Sequence, residues 1–243
     1  MIKNIFLILL FFVLILFSCK KDNVQNDNPN NDNQNTTTPL PTNLPDGNFE
    51  QWTLSEQGTY EEPSTGWWAT LNILKNLGGP GSVFKINDVN TGNYAAKLVS
   101  SMWGDLLISG IMLSGTFDFN APNMMIQGKP FIQKPLKLTG YYKYISVNSD
   151  SAAIYANITY YNNNASKRDT IAEARFPVLT STNNYTFFEI DFNYLINNIN
   201  PDSITIVFAS SADGANFNGQ AGSTLFIDDV SLILPSDKKI RLF

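Results

Sequence analysis

The chain has no histidine, which removes Ser-His-Asp and Cys-His catalysis, His-ligated zinc and an imidazole pH switch in one stroke. Its only cysteine is Cys19, so no intramolecular disulfide can form. Charged residues make up 15% and the formal net charge is −5. That balance argues against nucleic acid, because binding phosphates takes a basic surface that releases counterions. No Gly-rich loop leads from a strand into a helix, so a nucleotide phosphate has no cradle. A convincing amphipathic helix is missing as well.

What is present is alternation and aromatic rings, with ten Tyr and seventeen Phe among 243 residues. Ile154, Ala156, Ile158 and Tyr160 interleave with Tyr155, Asn157, Thr159 and Tyr161, the period-2 pattern of a half-buried strand. Similar runs occur at 83–86, 94–101, 106–119, 136–147, 171–178, 188–192, 204–208 and 225–234, separated by turn residues such as Gly78-Gly79-Pro80-Gly81 and Asn162-Asn163-Asn164. About ten strands of this kind predict an all-β fold, a two-sheet antiparallel β-sandwich or jelly roll. One helical turn is expected at 193–200, and a short tail follows Leu234.

The N-terminus is a different material. Ile5 to Phe17 is an unbroken apolar run of 13 after a basic Met-Ile-Lys-Asn start, too short to span a bilayer and typical of a secretory signal. It ends in Leu16-Phe17-Ser18-Cys19, which resembles the lipobox of bacterial lipoproteins and implies a signal peptide over 1–18 and a lipidated Cys19. Residues 20–45, rich in Asn, Thr and Pro, bury too little to order themselves and read as a tether. Its 26 residues would reach about 28 Å. This start is similar to that of surface lipoproteins of the Bacteroidetes phylum, which implies an outer-membrane anchor on the cell surface or the periplasmic face. The folded domain is expected over 46–243.

The last strand sets Asp228 and Asp229 inside an apolar run. On an unbroken strand Phe226, Asp228, Val230 and Leu232 share one face, and Leu225, Ile227 and Asp229 the other. A buried carboxylate there must hold backbone N–H groups or a cation. Asp46, Asn48 and Glu50 crowd further oxygens around Phe49, and these converge with Asp228 if the first and last strands lie side by side.

Taken in order, DGNFEQW, GWWATLN, KPFIQKPLKLTGYYKY and GSTLFIDDVSL resemble the putative carbohydrate metabolism domain of Bacteroidetes surface proteins. More loosely, the opening and closing runs look like those of carbohydrate-binding jelly rolls. That resemblance implies a structural calcium ion on Glu50 and Asp228, with Asn48 as a further ligand. It also implies a role in carbohydrate acquisition or metabolism.

Sugar rings stack on flat aromatic faces edged by polar groups. Candidates for that task are Tyr155, Asn157 and Tyr161 on one outward strand face, Trp103 beside Asp105, and Trp67 or Trp68. The expectation is a glycan-binding lipoprotein that touches the membrane only through its lipid, beside partner proteins of glycan uptake. The alternatives are a glycoside hydrolase working with two carboxylates, for which no pair stands out by spacing, and a structural or adhesive protein-binding module. Glu61-Glu62 reads as a charge pair on a loop.

Overall fold

The computed structural model describes residues 41–118 and 125–235; the expected signal peptide, Cys19, most of the tether and the tail beyond 235 lie outside them. Two antiparallel sheets face each other. In the first, the strands run in the order Thr186–Asp191, Lys137–Ile145, Thr224–Ile233, Ala95–Val99 and Val83–Ile86, with Pro41–Asn43 also paired to Thr224–Ile233. In the second they run Asn193–Tyr194, Lys167–Val178, Ala152–Asn162, Ser203–Ala209, Ile111–Ser114 and Trp68–Thr70, with Lys129–Pro130 paired to Ser203–Ala209. The sandwich is thus the architecture the alternation predicts.

Alternation also decides which side chains meet. Ile154, Ala156 and Ile158 are buried against Leu225, Ile227, Tyr144 and Phe188 of the opposite sheet in one core. Trp68 sits in that core between Phe49 and Phe208, with ring centroids 5.4 and 5.7 Å away. Tyr142 and Tyr144 point inward, whereas Tyr141 turns outward and meets the ring of Phe187 at 5.4 Å.

The closing strand Thr224–Ile233 is flanked on one side by Lys137–Ile145 throughout. On its other side Ala95–Val99 pairs with residues 224–227 and Pro41–Asn43 with 231–233, leaving 228–230 without a strand partner there. The closing strand therefore lies beside the first described strand. At the gap Asp229 takes the left-handed conformation, φ 51°, and the pairing with Lys137–Ile145 shifts register between Thr139 and Tyr141. This bulge reverses the parity of the strand. Leu225 and Ile227 face the core before it, and Val230 and Leu232 face the core after it. An uninterrupted period of two would have put Phe226 and Val230 on one face, and they are on opposite ones.

Three further points depart from expectation. The sheet takes in residues 41–43, and Leu44 is buried, so the fold begins inside the stretch whose composition reads as tether. Residues 193–200 make a two-residue strand and then bends, with no helical turn. A 3₁₀ helix forms instead at Leu71–Leu77. Thr70 accepts the N–H of Asn72 at its start, and Gly78 ends it at φ 81°, a conformation costly for any residue with a Cβ. Among the described residues no helix is long and apolar enough to cross a membrane.

Candidate functional site

The unpaired stretch of the closing strand is plugged by two loops. Asp228 is fully buried, and its Oδ2 accepts the N–H groups of Asn90 and Thr91 at 2.8 and 3.2 Å, while Oδ1 accepts that of Asp229 at 2.9 Å. Asp229 reaches the same loop, accepting from the Asn90 amide and the Thr91 hydroxyl. From the other side Glu50 Oε1 accepts the N–H groups of Asn93 and Tyr94 at 2.8 and 3.0 Å, and Oε2 accepts from the Asn93 amide at 3.2 Å. Glu50 and Asp228 thus grip one loop, residues 90–94, from its two ends. Gly47 donates no side chain to the gap and cannot: a Cβ there would lie 2.3 Å from the Val230 carbonyl oxygen.

Asp228 was expected to hold N–H groups or a cation, and N–H groups are what its oxygens meet. A calcium shell needs six to eight oxygen donors. Here each carboxylate oxygen of Glu50 and Asp228 is already aimed at an N–H, a positive end that would repel a cation. Asn48 is exposed, and no cluster of three metal-ligating side chains occurs among the described residues. The donor set fits loop capping and does not fit a calcium shell. Burial raises the Asp228 carboxyl to about 6 against the pull of these donors, and burial likewise raises Asp46 to about 6. The Glu50 carboxyl is lowered, chiefly by the N–H of Tyr94.

The expected sugar platforms scatter. Trp68 is 3% exposed and its indole N–H donates to the carbonyls of Pro45 and Asp46, so it is a core residue and cannot face a ligand. Trp67 is half-buried against the same core. Trp103 packs on the small cluster of Leu71, Leu74 and Ile108, and Asp105 occupies an exposed turn beside it. Tyr155, Asn157 and Tyr161 lie on the second sheet's strand as alternation required, and Tyr161 is 47% exposed. The Tyr155 ring, however, is covered by the Arg175 guanidinium 5.0 Å from its centroid, and its hydroxyl donates to Glu173 at 3.2 Å. Burial and the Glu173 charge raise the Tyr155 phenol. A sugar stacking there would have to displace an arginine that also donates to Glu173 at 2.9 Å.

The cleft with the richer chemistry is elsewhere, at the edge of the first sheet. It encloses about 260 Å³ and is lined by Leu54, Tyr60, Glu61, Lys75, Phe84 and Lys85, among others. Three short segments build it: the hairpin of Trp52–Leu54 and Glu61–Pro63, the 3₁₀ helix Leu71–Leu77, and the edge strand Val83–Ile86. Asn72, 1% exposed, ties all three together. Its amide donates to the carbonyls of Val83 at 2.6 Å and Glu61 at 3.3 Å, and its oxygen accepts the N–H groups of Ser82 at 2.8 Å and Val83 at 2.9 Å. All four of its hydrogen-bonding positions are filled, as a buried amide requires. Thr59 closes the tip of the hairpin onto the helix by donating to Asn76 at 2.7 Å.

Phe84 is 42% exposed and Leu54 60%, giving the cleft open apolar walls. Gly81 leaves room for two of the lining side chains: a Cβ there would come within 3.3 Å of both the Lys75 stem and the Phe84 ring. Lys85 donates to Glu61 at 2.6 Å and lies 5.2 Å from the Tyr94 centroid. None of Tyr60, Lys75, Phe84 or Lys85 was singled out by pattern. The available signal was the Gly-Gly-Pro-Gly turn between a lysine and a phenylalanine, which marks a close approach as well as a break.

Glu61 and Glu62 are not a loop pair but neighbours on a strand, and alternation sends their carboxyls apart. Glu62 turns inward, where Oε1 accepts the Thr70 hydroxyl at 2.8 Å and Oε2 is buried without a partner. Burial raises its carboxyl to about 7, from 4.5 in an unfolded chain. For an acid raised in the fold, the stabilising contribution is complete below about pH 4.5 and is lost as pH rises through about 7. Glu62 alone should therefore cost the domain roughly 3 kcal/mol between pH 4.5 and 8. Denaturant titrations of wild type and Glu62→Gln at both ends of this range check it. The variant should have the flatter profile and be the more stable protein at pH 8. Equal slopes would show that Glu62 is charged in the fold at neutral pH.

A family model described as "Putative carbohydrate metabolism domain" matches residues 42–233. Among solved structures, the fold is similar to one described as a putative glycoside hydrolase from Bacteroides thetaiotaomicron. The TM-score is 0.67 at 25% identity, over 78% of this chain and 71% of that one. A structure from Bacteroides vulgatus with the same description gives a TM-score of 0.67 at 24% identity, over 77% of this chain and 97% of that one. No curated protein matches the chain.

Proposed function

Because the chain belongs to the putative carbohydrate metabolism domain family, we propose that it binds glycan, and that the cleft between Tyr60 and Phe84 is where a sugar unit sits. The observation that carries this is the make-up of the cleft: two aromatic side chains and Leu54 beside an ion pair and a lysine. Open ring faces suit the apolar face of a pyranose, and directed polar groups suit its hydroxyls. At about 260 Å³ the space is close to the low end of the roughly 300–1,000 Å³ typical of small-ligand sites, which suits one unit of a longer chain.

The names of the two Bacteroides structures suggest hydrolysis as the second reading. It would need two carboxyls about 5 to 9 Å apart across the bound bond. Glu61 is the one acid in the cleft lining, and it is bonded to Lys85. Binding without turnover is the reading this favours. Gel retardation of the full chain in a panel of polysaccharides, paired with a reducing-end assay, separates the two. Retardation without released ends is expected; released ends that vanish in Glu61→Gln would establish the enzyme instead.

The membrane anchor is part of the same proposal and rests on Leu16-Phe17-Ser18-Cys19 and the Asn-rich tether. Each buried methylene adds about 0.8 kcal/mol, so several acyl chains on Cys19 would hold the domain at a membrane. Cys19→Ser should move the protein from the membrane fraction to the aqueous one. Unchanged membrane retention would dismiss lipidation at this residue.

A further inference from the structure

Resting on the cleft as the glycan site, we infer that the sugar unit it prefers is acidic, a ring carrying one anionic substituent. Two cations line the cleft and they are not equivalent. Lys85 is committed, donating to Glu61 at 2.6 Å. Lys75 is not: among the described residues its ammonium has neither a hydrogen-bond acceptor nor a carboxylate, and it is exposed on the last turn of the 3₁₀ helix. With Glu61 the only acid in the lining, the cleft carries one cation in excess, within a chain of net charge −5.

The stem of Lys75 runs close to Gly81 while the residue as a whole is exposed. Its stem and the edge of the Phe84 ring both approach Gly81, where an added Cβ would be 3.3 Å from each. The helix that carries it is pinned to the hairpin by Thr59 and Asn76, and to the edge strand by the buried Asn72. An ammonium held at the rim of an aromatic wall matches a pyranose that lays its apolar face on Phe84 and extends a carboxylate toward the helix. A neutral sugar would satisfy the wall and leave the ammonium with water. The Tyr60 hydroxyl adds nothing to this charge preference, since it serves neutral and acidic rings alike.

The test is calorimetric titration of the full chain with oligogalacturonides and with their neutral methyl esters, followed by Lys75→Gln. A half-exposed ion pair is worth up to about 1 kcal/mol, so the acid should bind roughly fivefold tighter than the ester in wild type. In Lys75→Gln that ratio should fall to about one. Sulfated galactans at equal chain length tell a carboxylate preference from a general anionic one; tight binding of both keeps the inference, since either bears an anion. Equal affinity for acid and ester, or a preference that survives Lys75→Gln, overturns it. In that case, ester binding that Phe84→Ala abolishes keeps the cleft as a glycan site without the charge preference. If neither ligand binds and no neutral polysaccharide retards the chain, the glycan reading fails and this inference with it.

Discussion

Asn72→Ala is expected to lower the unfolding free energy by about 3–5 kcal/mol, because it removes four hydrogen bonds at once and leaves their backbone partners buried. Each bond contributes on the order of 1 kcal/mol, and water entering the vacated space relieves part of the penalty for the orphaned N–H and carbonyl groups. The loss is local in cause. The carbonyls of Glu61 and Val83 and the N–H groups of Ser82 and Val83 belong to two of the three walls, so the cleft should loosen before the sheets part. Asn72→Asp tests the donors alone: it keeps an acceptor for Ser82 and Val83 but turns a carboxylate toward two carbonyl oxygens, and should destabilise as well. Urea denaturation measures both. A cost under about 1 kcal/mol for Asn72→Ala would mean the walls hold without their hub.

The second large effect is expected at the loop of residues 90–94. Asp228→Ala should cost about 3–5 kcal/mol, at about 1–3 kcal/mol for each N–H group left without its acceptor. It strips acceptors from the N–H groups of Asn90, Thr91 and Asp229. Asp228→Asn keeps an acceptor oxygen and should cost less. Glu50 binds the loop from its more exposed end, so Glu50→Ala should be milder. Since both carboxylates hold residues 90–94, the double variant should fall short of the sum of the single ones. Thermal unfolding should be indifferent to calcium and to chelator, because the oxygens a cation would need are taken by N–H groups. A rise in midpoint with calcium that disappears in Asp228→Asn would restore the ion site.

The sandwich was legible because its long strands repeat the inward-outward pattern often enough to be unambiguous, as Ala152–Asn162 does over eleven residues. The approach of the opening described segment to the closing strand was legible too, since a carboxylate in an apolar run has few stable surroundings. What followed the bulge was not. A left-handed residue can flip strand parity without any sequence marker stronger than an aspartate, which tolerates that conformation better than most. Of the adjacent Trp67 and Trp68 only the second belongs to the strand Trp68–Thr70, and only the packed sheets say that it is the core residue.

Tyr155 teaches the complementary lesson. Its outward direction followed from alternation, yet its ring is occupied because the register opposes it to Arg175, a pairing set by a hairpin whose alignment is a three-dimensional outcome. The cleft escaped for a related reason. It is assembled from strands of three and four residues and a seven-residue 3₁₀ helix, all shorter than any window in which a period can be counted. Its hub, Asn72, looks in sequence like one more asparagine among many.

Side-by-side glycan titrations of wild type, Tyr60→Ala with Phe84→Ala, and Tyr155→Ala test the central claim most directly. The account predicts that the paired cleft substitutions abolish binding while leaving the unfolding midpoint within a few degrees of wild type, and that Tyr155→Ala binds as wild type does. Binding that survives in the cleft variant and disappears in Tyr155→Ala would move the site to the outer face of the second sheet and contradict the account.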